Sequence, residues 1–209
     1  MVTPTLIENA YGVLKEQGWL LVADPSLPCL ATMVAGEPIR GSWWGHPAGK
    51  AIYALAEELQ NRPDVMVVKL VAGKLTYVHE RLWPALLAVA MANEPWQTTK
   101  LSPEGKWLMG RVAAQGRIRL DQMLHADWAA RDLARAAKLL EARLLVFSED
   151  VHTERGAHTR ALEGWEHWIT RTGYANPALS AEDGRKVLLD AVQVVVPAGK
   201  AARFMPWPN

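Results

Sequence analysis

The sequence predicts an α+β fold that is mostly helical. Hydrophobic residues make up 50% of the 209 positions and charged residues 22%, the composition of a globular protein with a substantial core. Apolar residues recur at helical spacing in several segments, and two pairs of strand-like runs surround glycine-containing turns. We therefore expect helices interrupted by two β-hairpins.

The first half is predicted to be helical around one hairpin. Four prolines between residues 22 and 47 exclude a regular helix there, and Pro47 suits the start of the next helix. The apolar stripe of that helix consists of Ile52, Leu55, Ala56 and Leu59, at i, i+3, i+4 and i+7. The predicted elements are a helix at 5–17, irregular chain at 22–47, a helix at 47–61, a hairpin at 65–71 and 74–79, and a helix with Pro84 in its first turn.

The second half begins with a strong helix-start signal. Ser102 is suited to cap a helix, and Pro103 to occupy its first position. Ser180 and Asp183 resemble a capping box before the last helix. The predicted elements are a helix at 103–114, a strand at 117–120, a short turn at Asp121, a long helix at 127–143, a hairpin at 144–149 and 158–162, a helix carrying Trp165 and Trp168, and a final helix ending at Pro197.

The expected boundary between the halves is the polar segment 93–99. It divides the chain into an N-terminal half at 1–95, a module at 101–175, and a C-terminal helix and tail at 176–209. The order helix, hairpin, helix occurs at both 48–93 and 128–171, which leaves open a duplicated module or a coincidence.

Composition excludes several classes of protein. The 23 basic and 22 acidic residues give a net charge of +1, so the chain as a whole carries no basic signal for nucleic acid. The single cysteine, Cys29, excludes an internal disulfide and a cysteine-based metal centre, and it suits a reducing compartment. We expect a cytoplasmic protein without a cofactor, because the N-terminus lacks the apolar core of a signal peptide and no segment is apolar enough to span a membrane.

The order of elements from 101 to 162 resembles that of the winged helix-turn-helix domain. The resemblance rests on the order and length of the helix, short strand, short turn, long helix and hairpin, and the two halves together would form a tandem arrangement. It implies that the long helix enters the major groove of duplex DNA while the hairpin, or wing, contacts the backbone or the minor groove. The same fold also mediates protein–protein contacts, so a scaffold that binds a protein partner is the alternative function.

Basic residues of the presumed recognition helix favour DNA, and with it a regulatory role. Arg131, Arg135 and Lys138 share a helix face opposite the apolar residues, and Arg155 and Arg160 lie on the hairpin. The alternative is a solvated face without a specific partner, since acidic residues border the stripe.

An aromatic loop precedes the helix predicted at 47–61. Trp43, Trp44 and His46 could stack a nucleobase beside free amides that bind an anion, or the two tryptophans could simply cover the core. The glycine spacing around Gly45 is one residue short of a P-loop and Ala51 replaces its Ser/Thr, which excludes that kind of nucleotide site.

Two histidines of the second hairpin are candidates for a metal site. If residues 154–156 form a three-residue loop with Gly156 in the left-handed conformation, His152 faces His158; a two-residue turn places them on opposite faces. We favour ordinary polar roles and expect no tightly bound metal, because a surface hairpin encloses an ion poorly.

The sequence predicts no catalytic residues. Ser42 lies outside any nucleophile motif, and Cys29 has no activating charge beside it. An enzyme acting on nucleic acid is therefore the third function class, behind the two binding functions.

Overall fold

The computed structural model describes residues 2–125, 127–154, 156–175, 178–197 and 199–208. They form helices and two three-stranded antiparallel sheets, which confirms the α+β prediction. The first half contains α1 (Pro4–Gln17), β1 (Trp19–Leu21), α2 (Leu30–Ala35), α3 (Gly49–Gln60), β2 (Val65–Lys69), β3 (Leu75–His79), α4 (Trp83–Ala90) and α5 (Pro95–Thr98). The second half contains α6 (Pro103–Gln115), β4 (Arg117–Arg119), α7 (Ala130–Ala142), β5 (Phe147–His152), β6 (His158–Glu163), α8 (Trp165–Thr172) and α9 (Ala181–Gln193).

The two halves repeat one order of elements. Each has a helix, a strand, a short helical segment, a longer helix, a hairpin and a further helix, with the 3₁₀ turn Leu120–Gln122 standing where the first half has α2. Their sheets also have the same strand order, β1-β3-β2 and β4-β6-β5. By this order α7 is the counterpart of α3, which favours duplication over coincidence.

The chain between residues 22 and 47 is more regular than its prolines suggest. The helix α2 fits between Pro28 and Pro38, and Gly36 ends it in the left-handed conformation at φ 80°. The expectation of wholly irregular chain was therefore wrong, because two helical turns need no more than the space between two prolines. In the second half α7 begins at Ala130, three residues later than expected.

A hydrophobic core joins the two halves. Trp83 of α4 packs in one cluster with Phe147 of β5, Trp168 of α8 and Leu188 of α9. The segment 93–99 is also tied in, because the buried side-chain amide of Gln97 donates to the carbonyl oxygens of Ala90 and Arg143. Two smaller clusters lie beneath α3 and α7.

The described helices are all too short or too polar to cross a lipid bilayer.

Candidate nucleic-acid interface

The outer face of α7 carries the three predicted cations. Arg131, Arg135 and Lys138 are exposed, whereas Leu133, Ala137 and Leu140 on the opposite face are buried. Lys69 of β2, from the first half of the chain, binds Glu141 near the end of α7. The three cations of the outer face remain exposed.

Acidic neighbours neutralise part of this face. The guanidinium of Arg135 lies 2.7 Å from the carboxylate of Asp132. Within the described part of the chain, no carboxylate forms an ion pair with Arg131 or Lys138. These two side chains are therefore the more available cations for an external anion.

Arg160 of the hairpin is engaged inside the molecule. Its guanidinium lies 2.8 Å from a carboxylate oxygen of Glu141, and the Lys69 ammonium from β2 lies 2.7 Å from the same oxygen. The side chain of Glu141 is only 7% exposed, so this three-residue cluster fastens α7 and β6 to the first half. Arg155, the other hairpin cation, lies outside the described residues.

A groove separates α7 from the hairpin. It has a volume of about 350 Å³, and its lining includes Lys138 on the helix side and His158 on the hairpin side. Asp121 and Asp150 also line it, so its charge is mixed.

The two histidines of the hairpin face each other. His152 pairs with His158 in the strand register, and the ring centroids are 4.4 Å apart. Gly156 has φ 76°, and the amide of Thr153 donates to the carbonyl of Ala157, as a three-residue loop requires. Among the described residues no acidic, histidine or cysteine side chain completes a three-ligand cluster with this pair.

One cluster of metal-ligand type occurs elsewhere in the described chain, at Asp64, His79 and Glu80. The Nδ1 atom of His79 accepts the backbone N–H of Arg81, so the neutral ring carries its proton on Nε2, which lies 3.3 Å from Asp64. The same carboxylate accepts the hydroxyl of Tyr11, and this hydrogen bond raises the pKa of Tyr11. Both ring nitrogens of His79 and one carboxylate oxygen of Asp64 are thus already engaged inside the molecule.

The aromatic loop before α3 is partly anchored and partly exposed. The rings of Trp43 and Trp44 stack at 4.1 Å with an interplanar angle of 23°. Trp43 packs against the core, whereas Trp44 is 65% exposed. Tyr53 of α3, itself 44% exposed, lies 5.7 Å from the Trp44 ring.

The backbone of this loop closes on itself. Nδ1 of His46 accepts the N–H of Ala48 at 3.1 Å, and the backbone carbonyl of His46 accepts the N–H of Gly49 at 2.8 Å. Two amides that the sequence offers to an anion are therefore occupied by His46, which closes the turn before α3. A Cβ at Gly49 would lie 2.9 Å from the carbonyl oxygen of Trp43, so only glycine fits beneath the aromatic pair.

A cleft of about 470 Å³ lies between the two halves. Val65, Met66 and Val67 line it from β2, and Ser148 and Glu149 from β5. Since neighbouring residues of a strand point to opposite faces, consecutive lining residues mean that strand edges border the cleft. Both strands are edge strands of their sheets.

Sequence reasoning missed Tyr53 and Lys69. The signal for Tyr53 was present, because the buried stripe of α3 leaves position 53 on the outer face. Lys69 lies 72 positions from its partner Glu141, and no local pattern could have joined them.

Comparisons of the chain with protein-family models, with curated proteins and with solved structures find no match.

Proposed function

We propose that the protein binds duplex DNA through a winged-helix module at residues 101–162, with α7 in the major groove, and that it serves as a regulator. The observation that carries the proposal is the open cationic face of α7, opposite a fully packed apolar face. The strand order β4-β6-β5 and the helices α6 and α7 agree with a winged helix, and the repeated order in the first half agrees with a tandem.

Charge on this face sets the expected strength of binding. Each phosphate contact by Lys or Arg releases condensed counterions, which makes the affinity fall as salt rises. Arg131 and Lys138 are free to make such contacts, whereas Arg135 must first exchange Asp132 for a phosphate. The net charge of +1 gives little long-range attraction, so we expect binding to be weak at physiological salt.

A salt-dependent titration with a blunt duplex tests the proposal. The triple variant Arg131→Ala, Arg135→Ala, Lys138→Ala should lose most of the affinity and reduce the slope of log K against log salt by about two to three. Its fold should be intact by circular dichroism, because all three side chains are exposed.

The matched control removes three exposed cations elsewhere, at Lys186, Lys200 and Arg203. It changes the net charge equally, so it should keep the wild-type slope if the contacts are local. Equal losses in both triple variants, or no salt-sensitive binding by the wild type, would overturn the proposal.

A protein partner is the second candidate, and the cleft between β2 and β5 favours it. Unpaired strand edges can accept an added strand from an extended peptide. Selection from a random-peptide library should then return apolar segments that bind the wild type. Val67→Arg, in the cleft, should abolish their binding, whereas Val194→Arg, at an exposed site outside the cleft, should leave it unchanged. Peptides that bind both variants equally would argue against the cleft.

A further inference from the structure

Trp44 is the tryptophan that the fold leaves uncovered. All ten tryptophans lie in the described part of the chain, and the other nine are buried or partly buried. An exposed indole offers a large flat apolar face on which a planar ligand can stack. We call the ring of Trp44 together with that of Tyr53 the Trp44 platform.

The platform is held in place before any ligand arrives. One face of Trp44 is covered by Trp43, which packs against the core. The hydrogen bonds from Ala48 and Gly49 to His46 fix the backbone below it. Binding to such a rigid platform costs little conformational entropy.

The charges beside the platform point to a nucleotide. Lys50 and Tyr53 are three residues apart and are therefore neighbours on the outer face of α3. Arg40 precedes Trp44 in the loop before this helix. Lys50 and Arg40 are exposed, and neither forms an ion pair with any residue that the structure describes. A planar ring next to a cation suits a base joined to a phosphate. Glu57 lies one turn beyond Tyr53, so the phosphate is expected on the Lys50 side.

We infer that the Trp44 platform binds an unpaired nucleobase of single-stranded DNA, by stacking on the free face of the indole. The inference deepens the proposed function and rests on it, since α3 is the first-half counterpart of α7. A base inside a duplex is stacked on both faces, so the platform can take only a base in a single-stranded extension or at a frayed end. The protein would then recognise a junction between duplex and single strand.

The experiment compares two labelled probes, a blunt duplex and the same duplex with a 3′ extension of six thymidines. The extension should tighten binding by the wild type by about 5- to 150-fold, the range for stacking one base on an aromatic side chain. Trp44→Ala should lose this gain and keep the wild-type affinity for the blunt duplex. Trp44→Phe should keep part of the gain. The control variant Val194→Ala, at another exposed apolar residue, should keep all of it.

Photochemical crosslinking locates the contact directly. With 5-iododeoxyuridine in the extension, mass spectrometry should find the crosslink at Trp44 or Tyr53. An extension that gives no gain, a gain that survives Trp44→Ala, or crosslinks confined to other residues would each overturn the inference. If the blunt duplex does not bind but the extended probe binds through Trp44, the platform stands and the proposed duplex site fails.

Discussion

At the scale of single residues, Glu163 at the end of β6 is a buried carboxylate with two side-chain partners. Its side chain is 2% exposed, and both carboxylate oxygens lie 2.8 Å from the guanidinium of Arg171. His167 adds a contact of 2.5 Å. Burial raises the pKa of Glu163, but the hydrogen bonds from Arg171 and His167 outweigh burial and leave the pKa below its ordinary value. The charged form is therefore favoured by folding.

Glu163→Gln tests this contact. We expect the free energy of unfolding at pH 7 to fall by roughly 1.5–3 kcal/mol, the range for hydrogen bonds to charged groups. Because the folded pKa is lowered, the stabilisation is present above the ordinary pKa and is lost as the pH falls through the folded pKa. Urea titrations should thus show a difference between wild type and variant that shrinks below about pH 4. The control Glu166→Gln, at an exposed position of α8, should alter stability little. If the difference in stability between wild type and Glu163→Gln stayed the same at low pH, this account would be contradicted.

At the scale of elements, the end of α6 depends on one glycine. Gly116 has φ 73°, and a Cβ there would lie 2.1 Å from the His167 ring. Gly116→Ala should therefore destabilise the protein by about 2–4 kcal/mol, through backbone strain and displacement of His167 from Glu163. Gly110→Ala, in open space within the same helix, should stabilise it by up to about 1 kcal/mol. Thermal unfolding should show a lower midpoint temperature for Gly116→Ala and a higher one for Gly110→Ala. A shift of both midpoints in the same direction would refute the argument.

Elements with local signals could be predicted from the sequence. Ser102 accepts the N–H of Gly105 and Ser180 that of Asp183, as expected of helix caps. Trp83 and Trp165 are buried in the core, whereas Trp107 is only partly buried, because it packs at the surface against His125 and Trp128. The three-residue strand β1 was missed, since its identity depends on pairing with β3, more than fifty positions away.

The candidate site was predictable only in part, because the sequence shows local patterns and does not show long-range contacts. Helical periodicity placed Arg131 and Lys138 on one face, and that is a local property. The engagement of Arg160 with Glu141 and the exposure of Trp44 follow from tertiary packing. Periodicity gives the direction of a side chain relative to its helix, and only the fold determines what meets it.

At the scale of the whole molecule, α9 fastens the C-terminal segment to the first half. The indole N–H of Trp19 donates to the carbonyl of Ala191 at 3.0 Å, and Arg185 pairs with Glu94. The pKa of Glu94 is lowered by its hydrogen bond with Arg185. The helix α9 is thus integrated with the first half through packing as well as charge.

The close contact of α9 with α4 depends on Gly184. A Cβ at this position would lie 2.7 Å from the carbonyl oxygen of Ala85 and 3.2 Å from the Val89 side chain. Alanine within a helix gains about 1 kcal/mol over glycine, but a backbone atom of α4 cannot move aside as a side chain can. We therefore expect Gly184→Ala to destabilise the protein and to weaken the protection of α9 amides against hydrogen exchange. Gly12→Ala in α1, where nothing lies within 4 Å, provides the control and should stabilise the protein. If Gly184→Ala instead raised stability while α9 stayed protected, helix propensity would outweigh the contact, and α9 would have room to pack at a greater distance from α4.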